Sequence, residues 1–190
     1  MKSIRNLLLT LVSLAVSTGS WAADTYKLDG SHTTVGFTIA HLVISEVSGR
    51  FNEVAGEITI DKDTLATAKA TIQTKSIDTQ NEKRDEHLRK PDFFDAEKYP
   101  TITFESLKVA KDGDKTTVTG KFTMHGTTKE IQLPVTLKGP IKDPWGNSRV
   151  ALVAETTINR TDYGMKTMMG VGDEVKIRIT TEAVKAEDKK

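Results

Sequence analysis

Residues 117–138 read TVTGKFTMHGTTKEIQLPVTLK. Val118, Gly120, Phe122 and Met124 alternate with Thr117, Thr119, Lys121 and Thr123. Ile131, Leu133, Val135 and Leu137 then alternate with Gln132, Pro134, Thr136 and Lys138. Side chains of a strand point to opposite faces in turn, so a period of two marks a half-buried strand. His125-Gly126 between the two runs is a turn signal. Pro134 has no N–H for a ladder, which places an edge or an irregularity at that position.

The same pattern runs outward in both directions. Val35, Phe37 and Ile39 alternate with Thr34, Gly36 and Thr38, and Ile58 and Ile60 with Glu57 and Thr59. Ala66, Ala68, Ala70 and Ile72 face away from Thr67, Lys69 and Thr71. Ile102 and Phe104 begin another strand, and Leu107 and Val109 fall out of phase with them, which predicts a bulge near Glu105-Ser106. A strand from about Arg149 to Arg160 is less cleanly patterned. The last puts Val175, Ile177 and Ile179 on one face and Lys176 and Arg178 on the other. Turn residues at Asp61-Lys62-Asp63, Lys111-Asp112-Gly113-Asp114 and Asp143-Pro144-Trp145-Gly146-Asn147 separate the strands. Roughly eight strands with short connections predict an up-and-down barrel or a sandwich.

One segment breaks the pattern. Asn81 to Lys90, NEKRDEHLRK, is nearly all charged and reads as a short surface helix. Thr79 with Glu82 makes a capping box, Pro91 a stop, and Asp85–Arg89 and Glu86–Lys90 are pairs four residues apart.

Charge decides which face is inside. The faces opposite the apolar rows carry Lys69, Lys121, Lys138, Lys176 and Arg178. Aromatic residues make up 6% of the chain, too few for the two girdles of an outer-membrane barrel. The expected barrel is charged outside and apolar inside, with no membrane-spanning role. Small residues in the inward rows leave room for a ligand. Bulky neighbours such as Phe37, Phe104 and Phe122 are equally able to fill that room, so patterning leaves both readings open.

The chain opens with Lys2 and Arg5, an apolar run from Leu7 to Val16, and the small residues before Ala22-Ala23. That is the layout of a secretory signal peptide, and the run is half the roughly 20 residues a spanning helix needs. Residues 1–22 are therefore expected to be a cleaved export signal and 23–190 one domain, placed in the bacterial periplasm. The full chain has 27 basic and 26 acidic residues; without Lys2 and Arg5, 25 basic face 26 acidic. That balance argues against a nucleic-acid partner. With no cysteine there are no disulfides and no thiolate sites.

Nothing in the chain forms a catalytic signature. His32, His41, His87 and His125 show no metal-ligand spacing, and no serine-nucleophile elbow is present. The expectation is no catalytic residue, no metal and no enzyme activity.

Arg84-Asp85-Glu86-His87-Leu88, then Asp92-Phe93-Phe94-Asp95, Tyr99-Pro100 and Phe104, resembles the signature of the YceI-like family of polyisoprenoid-binding periplasmic proteins. Asp29-x-x-His32, Phe37-x-Ile39-x-His41-Leu42 and Gly49-x-Phe51 extend the resemblance upstream. Downstream, Gly120-x-Phe122-x-x-x-Gly126-x-x-Lys129, Asp143-Pro144-Trp145-Gly146 and Arg160-x-x-Tyr163-Gly164 continue it. Thr33 stands after His32, where serine is common in the family.

The resemblance implies an all-β fold: an eight-stranded antiparallel lipocalin-like barrel with one short helix between strands. It implies a binding protein holding a long isoprenoid lipid, polyprenyl or quinone-like, in an apolar cavity, with no other cofactor. The expected lining is Val35, Phe37, Ile39, Ile58, Ile72, Phe104, Phe122, Leu133, Val135, Ile177 and Ile179, some of them plain core. Arg84, Asp85 and His87 match the motif and are expected to tie the helix over the barrel ahead of any head-group contact. Phe93, Phe94 and Tyr99 are expected to anchor the same loop or form a lip of the mouth. A homodimer is left open. The rival readings are a stress-related interaction module with a solid barrel, and an enzyme acting on a lipid.

Overall fold

The computed structural model describes residues 23–186, so the expected export signal and residues 187–190 lie outside the described residues. The chain runs β1 (Asp24–His41), β2 (Ser45–Phe51), β3 (Val54–Asp61), β4 (Thr64–Gln73), β5 (Ile77–Asp78), α1 (Glu82–Leu88), β6 (Thr101–Asp112), β7 (Lys115–Met124), β8 (Thr127–Lys142), β9 (Ser148–Asn159) and β10 (Val171–Lys185). Each strand pairs antiparallel with its neighbours, and β10 closes the sheet by pairing with β1. β1 pairs first with β3 and then with β2, so β2 and β3 form one staved strand interrupted at Asn52-Glu53. β4 and β5 likewise continue one another across a 3-10 turn at Thr74–Ser76. Counted this way, the barrel has the eight staves expected from the sequence.

Tight hairpins turn the chain at both ends. Lys62-Asp63 and His125-Gly126 each place two consecutive residues at positive φ, the geometry whose twist suits paired strands. The out-of-phase pattern in β6 is a real bulge: the register slips between Ser106 and Lys108, leaving Leu107 outside the ladder and exposed. Pro134 pairs with Thr117 of β7, while the ladder to β9 begins only at Val135, so its missing N–H falls where that ladder has ended.

Three local expectations are corrected. The helix is capped by Asn81, whose side chain accepts from the Arg84 N–H, and not by Thr79. Asp85 turns to Thr79, and Arg89 to the carbonyls of Lys75 and Ile77, instead of making the pairs four residues apart. Ala66 is exposed: a register slip after Thr59 pairs Ile60 with Leu65, so Leu65 takes the inward place at that end of β4.

The inner rows form two clusters stacked along the barrel. One holds Tyr26, Ile60, Leu65, Val150 and Ala183 beside Val118 and Leu133, at the end where β1 begins. Tyr26 is only 1% exposed and its hydroxyl meets Ser148 Oγ at 3.2 Å, so side chains plug this end. The second holds Val35, Phe51, Ile102, Phe122, Met124 and Tyr163, toward the end where β1 finishes. The outer wall carries charged cross-strand pairs, Lys69–Glu105 at 2.9 Å, Lys176–Glu46 at 3.0 Å, and Arg178 with Glu155. That wall is the reverse of a lipid-facing band. No helix among the described residues is long and apolar enough to cross a membrane.

Candidate functional site

The plug and the second cluster do not fill the barrel. A cavity of about 460 Å³ remains between them, within the roughly 300–1,000 Å³ common for small-molecule sites. All eleven apolar positions expected from alternation lie on its wall. Val35, Phe37 and Ile39 come from β1, Ile58 from β3, Ile72 from β4 and Phe104 from β6. Phe122 comes from β7, Leu133 and Val135 from β8, and Ile177 and Ile179 from β10.

The two readings of the small residues both hold in part. A Cβ on Gly120 would overlap the Phe104 ring, and one on Gly49 the Phe37 ring. The bare backbone at these glycines is thus filled by phenylalanines lying across it. Ala68 and Ala70 remain on the cavity wall, and space persists beside them.

The wall also includes residues that the sequence reading left out. Thr156, Ile158 and Arg160 follow Leu152 and Ala154 on the inner face of β9 and beyond its end. The alternation there is intact, but two of its inward members are polar, which masked it. Arg160 is 3% exposed and stands on the cavity wall. Its Nε donates to the Gly172 carbonyl at 2.9 Å and its Nη1 to the Lys166 carbonyl at 2.6 Å. Its Nη2 lies 2.9 Å from Asp173 Oδ1, close enough for charge pairing, though the two are not aligned as a hydrogen bond. A buried guanidinium thus holds the segment between β9 and β10 in place.

The mouth is built by the segment between β5 and β6. Thr79 is its hinge. Asp85 Oδ1 accepts from the Thr79 N–H at 2.9 Å and from its hydroxyl at 2.6 Å, while Arg84 donates from Nε to Thr79 Oγ1 at 2.7 Å. Arg84 Nη2 donates to the Thr79 carbonyl at 2.8 Å. The His87 ring meets Phe93 edge-on at 5.0 Å, and Phe94 meets Phe51 edge-on at 5.6 Å. Arg84, His87, Phe93 and Phe94 all reach the cavity. Asp85 and Tyr99 stand off it. Asp85 is spent on Thr79, and the Tyr99 ring meets the His125 ring edge-on at 4.8 Å and covers Gly126. Gly126 has φ +74 and a Cβ there would strike the Tyr99 ring, so both conformation and space require glycine.

The histidines are dispersed. His32 Nδ1 is 2.9 Å from Asp29 Oδ2 at the plugged end, and His41 lines the cavity at the far end of β1. His125 Nδ1 is 3.0 Å from the Tyr163 carbonyl. At the plugged end, motif residues distant in sequence converge. Arg149 reaches Asp29 and Asp143, each at 2.9 Å, and Glu182 at 3.3 Å. Hydrogen bonds from Arg149 and then His32 hold the Asp29 carboxyl down at about 2. Burial pushes Asp143 up, but hydrogen bonds from Arg149 and Asn147 outweigh it and hold Asp143 at about 2.

The barrel has counterparts in known proteins. The family model described as the YceI-like domain matches residues 26–183. Protein YceI of Escherichia coli O157:H7 is 42% identical over 181 residues, spanning 93% of this chain and 95% of its own. The crystal structure of the Campylobacter jejuni YCEI protein superposes with a TM-score of 0.71 at 28% identity, covering 94% of this chain and 100% of that one. A polyisoprenoid-binding domain from Saccharophagus degradans, implicated in plant cell wall breakdown, shares the fold at a TM-score of 0.64 and 17% identity, over 85% of this chain and 98% of that one. With the family model running from the first stave to the last, and with such identity along nearly the whole chain, this protein belongs to the YceI-like family.

Proposed function

We propose that the protein is a periplasmic carrier that holds a long isoprenoid lipid, polyprenyl or quinone-like, inside the barrel. The cavity carries this reading: about 460 Å³ walled by aliphatic and phenyl side chains, plugged at one end and roofed at the other by Arg84, His87 and two phenylalanines. Family membership and the shared fold of a polyisoprenoid-binding domain support it. Burying a prenyl chain gains about 0.8 kcal/mol per methylene, offset by ordering, so a long chain leaves slowly. The head group stays at the mouth, near Arg84, His41 and His87, where charge is solvated. The cavity also weighs against a solid-barrel interaction module. The reading is of binding without turnover.

Native mass spectrometry of protein isolated from the periplasm tests it. The expected result is an adduct with the mass of an isoprenoid. Protein that is repeatedly ligand-free and also refuses added quinone rules it out. Ala68→Trp, which fills the cavity from β4, should abolish uptake while leaving the circular dichroism of the barrel intact.

A further inference from the structure

Two connections at the mouth expose large apolar side chains. Leu42-Val43-Ile44 joins β1 to β2, with Val43 97% and Ile44 87% exposed. Met168-Met169 precedes β10, with Met169 98% exposed. The connections are joined: the Leu42 N–H donates to the Gly170 carbonyl at 2.7 Å, and a Cβ on Gly170 would strike the Leu42 side chain. They form one lip.

The backbone makes this lip harder to dismiss as ordinary turn sequence. Leu42 and Val43 have φ +52 and +64, a left-handed pair that hairpins normally fill with Asn and Gly. A β-branched residue there is an outlier, and such strain gathers at functional positions. Folding alone favours polar residues here, where water is the neighbour. The lip is also continuous with the cavity, because His41, Met168 and Val171 line the wall directly beside Leu42, Met169 and Gly170.

We propose that this lip docks on a lipid bilayer, inserting between head groups so that the cavity mouth faces the acyl layer. An isoprenoid chain then passes from bilayer to barrel without crossing water. The proposal rests on the isoprenoid reading of the cavity. Residues 42–44 and 168–170 carry no charge, and Glu46 behind them is paired with Lys176 at 3.0 Å, so insertion buries no unpaired ion at the tip. Lys166 stands exposed on the flank, suited to meet head-group phosphates. Two loop tips are small beside the roughly 20 residues a side of a stable protein interface, which favours the bilayer over a protein partner.

The test compares mature wild type with Val43→Asp/Met169→Asp, both positions being bare of packing. Vesicles of phosphatidylethanolamine and phosphatidylglycerol carry a dansyl-tagged prenyl alcohol. The wild type should cosediment with vesicles, and the double variant should lose about tenfold in bound fraction and in the rate of vesicle-to-protein transfer. Uptake of farnesol from solution should be unchanged. Equal cosedimentation of both proteins, or none by the wild type, would overturn the proposal. A double variant that binds vesicles normally but converts a dimer to a monomer would overturn it in favour of contact between copies. If neither protein takes farnesol or the dansyl probe, the cavity reading fails instead, while cosedimentation still decides the docking.

Discussion

Arg149 Nη1 donates to Asp29 Oδ2 at 2.9 Å, reaching from β9 over β10 to β1. It ties three neighbouring staves at the plugged end, where Tyr26 also meets Ser148. Asp29 and Asp143 both sit at about 2, against an ordinary 3.8. A carboxyl held lower in the folded chain contributes stability above about pH 4, and that contribution is lost as pH falls toward 2. Melting temperature measured from pH 5 to pH 2 should therefore drop. Arg149→Met should lower Tm at pH 7 and flatten the acid limb; an acid limb as steep as in wild type would place its origin elsewhere.

Asp85 is buried, and its side chain accepts two hydrogen bonds from Thr79. Asp85→Ala leaves those donors without their acceptor and should cost about 3 kcal/mol. The loss should be local first. Hydrogen exchange should quicken across residues 79–99 before it quickens in β7 or β9.

The Phe104 ring lies where a side chain at position 120 would stand. Gly120→Ala should push that ring toward the cavity and cost roughly 1–3 kcal/mol by overpacking. Prenyl uptake should fall with it. Gly113→Ala, at an open turn with nothing near its Cβ, should spare uptake and lose only the small amount its φ of +57 demands.

Val43 holds a left-handed conformation with its side chain in water. Val43→Asn should relieve that strain and raise stability by about 1 kcal/mol in urea unfolding. Vesicle binding should weaken in the same variant. An unchanged or lower midpoint would mean the turn is not strained as its φ indicates.

Roughly eight strands, most of their inward rows and a bulge near Glu105-Ser106 were legible in the sequence, because side-chain direction in a strand repeats every two residues and needs no knowledge of the partner strand. The eleven apolar positions are all on the cavity wall for the same reason. β9 was harder to read, since Thr156 and Arg160 are inward and polar, and their partners come from distant backbone or from the cavity rim. The helix cap was misassigned because Thr79 and Asn81 are both able to cap. Only the placement of Asp85 against Thr79 decides between them.

What the chain alone determined is the alternation that makes staves and the turn residues that join them. What only the tertiary structure decided is which loops gather at each end and how much of the interior stays empty. Arg149 meets Asp29, and Leu42 reaches Gly170, only once β10 pairs with β1. The empty volume depends on whether rings such as Phe104 lie over glycines or point at one another. Both are consequences of closure, a long-range event that fixes distances between residues more than a hundred positions apart, and no local periodicity carries that information.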